Sequence, residues 1–147
     1  MSQSDEILAC MNAHLSESLY RDFPALYRGR SRSTDESAMS WGFQCDDGWY
    51  ALLRELSRQL ADAPRPIEAF QVKQKFGALR FQLVESDPAS AALIEEASRR
   101  SLSICEISGA PGELCVKEGR RPHYKTLSPQ KALELGYRRV KNEETSP

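Results

Sequence analysis

Cys105 and Ser108, in the stretch CEISGAPG, stand three residues apart. At that spacing one tight turn can aim two side chains at a shared metal ion. A zinc knuckle needs a thiolate at both positions, and here the second is a serine. TLSPQKA repeats the spacing with Ser128 and Lys131, where a second ligand pair would sit. One ligand in four cannot hold a structural zinc. His123 could stand in for a lost ligand and join Cys105 and Cys115 in a three-ligand site, but no spacing supports that set. No metal and no cofactor are therefore expected. A Cys-His nucleophile pair would also need an orienting group and an oxyanion hole, and neither is readable. Gly109, Gly112 and Gly119 form no phosphate-cradling pattern. The chain is not expected to be an enzyme.

Two other clusters invite chemistry. WGFQCDDGWY offers Asp46 and Asp47 as an acidic pair. Acid-base work needs two carboxyls in different environments, which adjacency does not supply. The plainer reading makes one of them a helix cap and places Trp41, Phe43, Trp49 and Tyr50 in the core. The alternative is an acidic patch facing a basic partner. VKQKFGALRF alternates cations with aromatics, as a base-stacking sheet would. The same alternation is that of a one-sided core hairpin, with Lys73, Lys75 and Arg80 turned to water.

Those residues must be held by a chain of 147 residues, enough for one domain or one domain with an appendage. It is 40% hydrophobic and 28% charged, the balance of a globular protein with a real core. The formal net charge of -1 gives no overall drive toward nucleic acid. Basic spots occur at Arg28, Arg30 and Arg32, at Lys117, Arg120 and Arg121, and at Arg138, Arg139 and Lys141. They read as solvated segments, since nothing aromatic or Gly-rich is organised around them. No apolar run reaches the roughly 20 residues of a membrane span. MSQSDEILAC has no basic start followed by an apolar stretch, so no secretory signal is expected. Cys10, Cys45, Cys105 and Cys115 show no disulfide framework. Reduced thiols in the cytoplasm are the expectation; in an oxidising setting Cys105 and Cys115 would be the pair to join.

The hydrophobic pattern predicts a helix over 5–20, with Ile7, Leu8, Met11, Leu15 and Leu19 inward and Asp5 and Glu6 at its N-terminus. Phe23, Leu26 and Tyr27 follow as an apolar anchor. The polar run 29–40 reads as a mobile loop or linker. A second helix, capped by Asp46 or Asp47, runs to about Ala61 with Trp49, Leu52, Leu53, Leu56 and Leu60 buried. Pro64 and Pro66 end it. Two strands carry Phe70 and Val72, then Leu79, Phe81 and Leu83, about a turn at Gly77. A third helix over 88–103 starts at Ser86 or Asp87, with Ala92, Leu93, Ala97 and Leu102 inward. A small hairpin over 114–116 and 124–127 and a final helix over 129–138 complete the chain, before a tail that frays. The fold class is α+β: helices packed on a small antiparallel sheet, with a metal-free, degenerate zinc-knuckle-like C-terminal lobe. The expected division is a main domain over 1–104 and a lobe over 105–147. Losing zinc removes about 10 kcal/mol or more of site energy from a metal-dependent finger. The lobe must then dock on the core, and Leu114, Val116, Tyr124, Leu127, Leu133, Leu135 and Tyr137 are the expected anchors.

WGFQCDDGWY (41–50), VKQKFGALRF (72–81), CEISGAPG (105–112) and TLSPQKA (126–132) together resemble a family of small bacterial and prophage-encoded proteins. Its members carry an aromatic-Gly-Phe block with Cys-Gly-Asp-Gly-Trp, then Lys-Glu-Lys-Phe-Gly-Gly-Leu-Arg-Phe. A Cys-Glu-x-Cys-Gly-x-Pro-Gly knuckle follows, closed by Thr-Leu-Cys-x-x-His. The likeness covers about two thirds of the chain in the same order, and the middle block is the most specific. Asp46, Gln74 and Ala78 depart from the pattern mildly; Ser108, Ser128 and Lys131 remove the metal set. The resemblance implies the fold, withdraws the zinc and offers no enzymatic activity to carry over.

A metal-free variant suits a protein shaped to one partner. The expected function is a cytoplasmic immunity protein that binds and neutralises a cognate toxin, such as a type VI secretion effector. Nucleases are basic in their clefts, so an acidic surface would dock there with steered association. Asp35, Glu36, Asp46, Asp47, Glu95 and Glu96 are the expected partner-binding residues. The alternative is a nucleic-acid-associated prophage or regulatory protein descended from a zinc-binding ancestor. It would use the hairpin lysines and the basic residues after Cys115.

Overall fold

The computed structural model of the chain describes residues 10–141, an α+β fold of four α-helices and two three-stranded sheets. Helix α1 spans Ala13–Asp22. It begins after Asn12, whose side chain accepts the His14 N–H at 2.7 Å. Residues 10–12 are not helical, so the helix starts later than the apolar spacing implies; Asp5, Glu6, Ile7 and Leu8 lie outside the described residues. Leu19 is fully buried.

The first sheet has the order β1-β2-β3, with β1 at Phe43–Gln44, β2 at Ala69–Lys75 and β3 at Ala78–Leu83. β2 and β3 form the expected antiparallel hairpin, while β1 lies parallel to β2. The sheet is therefore mixed, and a two-residue β1 has no periodicity by which a sequence could reveal it. The hairpin turn uses Phe76 and Gly77, both at positive φ, as a two-residue turn between right-twisted strands requires. A bulge between Ala69 and Gln71 shifts the face of β2. Val72 stays buried, but Ala69 takes the inner place expected for Phe70, which is exposed.

Helix α2, Tyr50–Ala61, and helix α3, Pro88–Ser101, pack on each other, and α3 packs on β3. Trp49, Leu52, Leu53, Leu56 and Leu60 are all buried, as their spacing predicts. They join Leu19, Tyr27, Met39, Phe43, Val72, Leu79 and Phe81 in one core. Inside it, Ser57 donates to the Leu53 carbonyl at 2.7 Å and accepts the Tyr27 hydroxyl at 2.6 Å. Burial holds the Tyr27 phenol well above its ordinary pKa. At α3, Asp87 accepts the Ser90 N–H at 2.8 Å, with Pro88 in the first turn. Its buried face is Ser90, Ala97 and Ser101, with Ile94 partly covered; Ala92 and Leu102 are exposed. The inward serines hide that face from a hydrophobicity pattern. Ser101 donates to the Ser98 carbonyl and accepts the Leu79 N–H, so its hydroxyl is satisfied.

The stretch 29–40 is not a featureless loop. It contains two short 3-10 turns, Arg28–Ser31 and Ala38–Trp41, and buries Gly29, Ser37 and Met39. Ser37 accepts the Met39 N–H at 3.1 Å. Arg28 and Arg32 reach Glu68 at 3.3 and 3.0 Å, and Arg30 lies 4.1 Å from the centre of the Tyr20 ring. This basic run is thus engaged within the fold.

The second sheet has the order β5-β4-β6, with β4 at Glu113–Lys117, β5 at His123–Leu127 and β6 at Arg138–Arg139. Helix α4, Pro129–Leu135, is shorter than expected because Gly136 takes a left-handed conformation and ends it. Cys105, Cys115, Leu127 and Ala132 form a small buried cluster. Val116 and Leu127 are buried as expected, but Leu133 is 83% exposed and Leu135 is also outside. Those two leucines are not anchors, whereas Tyr124 packs edge-to-face on Phe76 and Leu114 lies against Gly77, as expected, beside the polar bonds that join the lobe to the core.

Candidate functional site

The titratable groups that converge are Asp46, Glu106 and Lys125. Asp46 sits at the entrance of the Asp47–Trp49 turn that leads into α2. Glu106 follows Cys105 in the knuckle, and Lys125 projects from β5. The Lys125 ammonium lies 3.3 Å from Glu106 Oε1 and 3.4 Å from Asp46 Oδ2. The other Glu106 oxygen accepts the Asp46 N–H at 3.1 Å. The Glu106 side chain is fully buried. Burial pushes its carboxyl above the ordinary value, and Lys125 opposes that rise. For Lys125 burial acts downward, but Glu106 and Asp46 hold it above its ordinary value.

Backbone bonds flank the triad. The Gly48 N–H donates to the Glu106 carbonyl at 2.7 Å, and the Glu106 N–H donates to the Thr126 carbonyl at 2.9 Å. Trp49 Nε1 donates to the Ile104 carbonyl at 2.9 Å, and the Thr126 hydroxyl to the Gly77 carbonyl at 2.8 Å. All four motif blocks therefore meet along one seam: Gly48 and Trp49, Gly77, Glu106, and Thr126. A Cβ on Gly48 would stand 2.1 Å from the Cys105 carbonyl oxygen, so only glycine lets the two backbones touch. At Gly77 a Cβ would clash only with the movable Leu114 Cδ1, and it is the backbone at φ +86 that favours glycine there.

Hydrogen bonds define the turn of the knuckle. The Ser108 N–H donates to the Cys105 sulfur at 3.4 Å, and the Gly109 N–H to the Cys105 carbonyl at 2.9 Å. Ser108 Oγ accepts the Ala110 N–H, and Ser128 Oγ accepts the Lys131 N–H at 3.2 Å as the cap of α4. Burial acts to raise the Cys105 thiol pKa, but hydrogen bonds from Ser108, Ser128 and Ile107 bring it below the ordinary value. Cys10, Cys45, Cys105 and Cys115 are free thiols. Among the described residues no group of three or more His, Cys, Asp or Glu could hold a metal ion.

The six acidic residues expected to meet a partner lie on separate elements. Asp35 and Glu36 are exposed, and Glu36 accepts the Ser33 N–H at 3.3 Å. Asp46 is half-buried and faces Lys125. Although it precedes the turn into α2, its side chain makes no capping bond. Asp47 is exposed and accepts the Asn12 N–H at 2.7 Å. Glu95 and Glu96 are exposed on α3, and Glu96 pairs with Arg99.

A feature that sequence reasoning missed is a groove between β3 and α3. Consecutive residues Ala78 to Leu83 line one side, and Ala91, Ile94, Ser98 and Leu102 line the other. Residues from both faces of a strand can line one groove only if it follows the strand's hydrogen-bonding edge. β3 is the last strand of its sheet. No residue pattern marks a strand as an edge; that follows from topology. No protein-family model, curated protein or solved structure matches this chain. Among the described residues no helix is long and apolar enough to cross a membrane.

Proposed function

We propose that this chain is a non-catalytic binding protein of the cytoplasm, and that it neutralises a cognate toxin by holding it. The observation that supports this reading is the open groove beside the terminal strand β3. A strand edge with an adjacent helix wall is a recurring platform for capturing polypeptide. By contrast, the converging charged groups are engaged with one another and with backbone amides at an internal seam. An immunity protein needs only a rigid surface, no reacting group.

Co-expression with the protein encoded beside it tests this proposal. The expected result is a stoichiometric complex and loss of the partner's toxicity. Host survival with the neighbouring protein expressed alone would overturn it. So would salt-sensitive binding of random DNA or RNA at about micromolar protein without any protein complex, because that is the signature of a phosphate-binding surface.

A further inference from the structure

The groove has a polarity that narrows its occupant. Lys75 pairs with Ala78 across the turn, and Lys73 pairs with Arg80. In a two-residue hairpin these alternate pairs exchange the ladder bonds, so Leu79 and Phe81 direct their N–H and C=O groups to the outer edge. The Leu79 N–H confirms this direction, because it donates outward to Ser101 Oγ at 2.9 Å. No strand of the described residues pairs with that edge beyond Leu79. Opposite the Phe81 edge, Ala91 and Ile94 of α3 and Leu102 at its C-cap supply an apolar wall.

Charge along the groove is uneven. Lys75, Arg80 and Arg99 line it against one carboxylate, Glu95. Arg99 is paired with Glu96, whereas Lys75 and Arg80 have no carboxylate partner among the described residues. At its turn end stands Phe76, 71% exposed and held at φ +53. The turn imposes that backbone, and the ring packs edge-to-face on Tyr124 at 6.3 Å, with the Lys75 ammonium 5.7 Å from its centre.

We infer that the β3 edge takes an extended, acidic-apolar polypeptide segment as an added strand, with its carboxylates at Arg80 and Lys75 and its apolar side chains against Ile94 and Leu102. Main-chain bonds at Phe81 supply affinity, and the alternating pockets supply selectivity. The inference rests on the partner-binding reading only in taking the natural occupant to be part of a protein partner.

The test uses the full chain and a fluorescent octapeptide in which Asp and Glu alternate with Val and Ile; a second peptide carries Lys in place of the acids. Anisotropy is expected to show saturable binding of the acidic peptide and much weaker binding of the basic one. Arg80→Glu should weaken acidic-peptide binding roughly threefold to tenfold, the scale of reversing one rim charge. Ala91→Trp should abolish it by filling the groove from an exposed helix position. Arg58→Glu, on α2 away from the groove, should leave it unchanged. Exchange of the Phe81 amide should slow when the acidic peptide binds, a readout that simple charge attraction would not produce.

No binding, binding indifferent to Arg80→Glu and Ala91→Trp, or an unprotected Phe81 amide each overturns the inference. So does a homodimer in sedimentation that both variants dissolve, since the occupant would then be a second copy. Toxin capture that survives both variants leaves the proposed function standing and removes this site. Peptide binding without toxin capture does the reverse.

Discussion

The buried Glu106 carboxylate accepts the Asp46 backbone N–H at 3.1 Å, although the two residues lie 60 positions apart. That bond joins the entrance of α2 to the knuckle, and Lys125 neutralises the charge it brings inside. Removing one member of a buried ion pair leaves the other uncompensated, which costs about 3–5 kcal/mol. Lys125→Met should therefore lower unfolding stability by that order in urea titration. A Glu106→Leu/Lys125→Met double variant should recover much of the loss, because an apolar pair of similar volume removes both desolvation penalties. Additive losses in the double variant would show that the two residues do not act as a pair.

Gly48→Ala tests the seam directly. The added methyl would collide with backbone atoms of Cys105 and Glu106 at 2.1 and 2.5 Å, and neither is the end of a flexible side chain. Overpacking of this kind costs about 1–3 kcal/mol or more. The expected outcome is faster amide exchange at Gly48 and Glu106, with the α2 and α3 interior still protected. Uniform loss of protection across the chain would mean that the lobe and the helices unfold as one unit.

The Glu106 contribution to stability should fall as pH rises from the acid side, against the gain from Asp22, Glu55, Asp87 and Glu134, whose carboxyls hydrogen bonds hold below their ordinary values. The Glu106 carboxyl is held above its ordinary value of 4.5 by burial. The folded chain therefore keeps a proton that the unfolded chain has released. Stability present below the unfolded value is lost as pH rises through the folded one. Glu106→Gln should remove that contribution from the profile. Lys125, held above its ordinary value of 10.5, contributes a further loss only in the alkaline range, as it too sheds its proton. Urea midpoints measured from about pH 4.5 to neutrality check the effect; parallel profiles for the two proteins would assign the slope to other groups.

Much of this architecture is legible where the chemistry is local. The stripe from Trp49 to Leu60, the Gly77 turn, and Asp87 with Pro88 at the start of α3 follow from spacing, positive φ and capping. Reading fails where a distant partner decides. Asp46 looks like a cap but answers Lys125, 79 positions away. Phe70 has the right alternation, and a bulge turns it out. Leu133 and Leu135 look like anchors because leucine usually is, yet Leu114, Tyr124 and the polar bonds around Glu106 are what meet the core. The motif glycine Gly48 was visible; that its job is to admit another backbone was not, since close approach has no signature in one strand of sequence.

Restoring the knuckle provides the last prediction. Ser108 donates its N–H to the Cys105 sulfur, and hydrogen bonds from both Ser108 and Ser128 depress the Cys105 thiol pKa, so positions 108 and 128 already surround that sulfur. Lys131 lies in the first turn of α4, its N–H bonded to Ser128 Oγ. A Ser108→Cys/Ser128→Cys/Lys131→His variant would present three thiols and an imidazole, a set suited to tetrahedral zinc. It should bind about one zinc per chain by elemental analysis and gain thermal stability that a chelator removes. The cost is the two serine hydroxyl bonds to Ala110 and Lys131, so the metal-free variant should be less stable than the parent. Failure to bind zinc in a folded variant would mean that the serine-built turns have drifted too far from the geometry of a metal knuckle to be converted back.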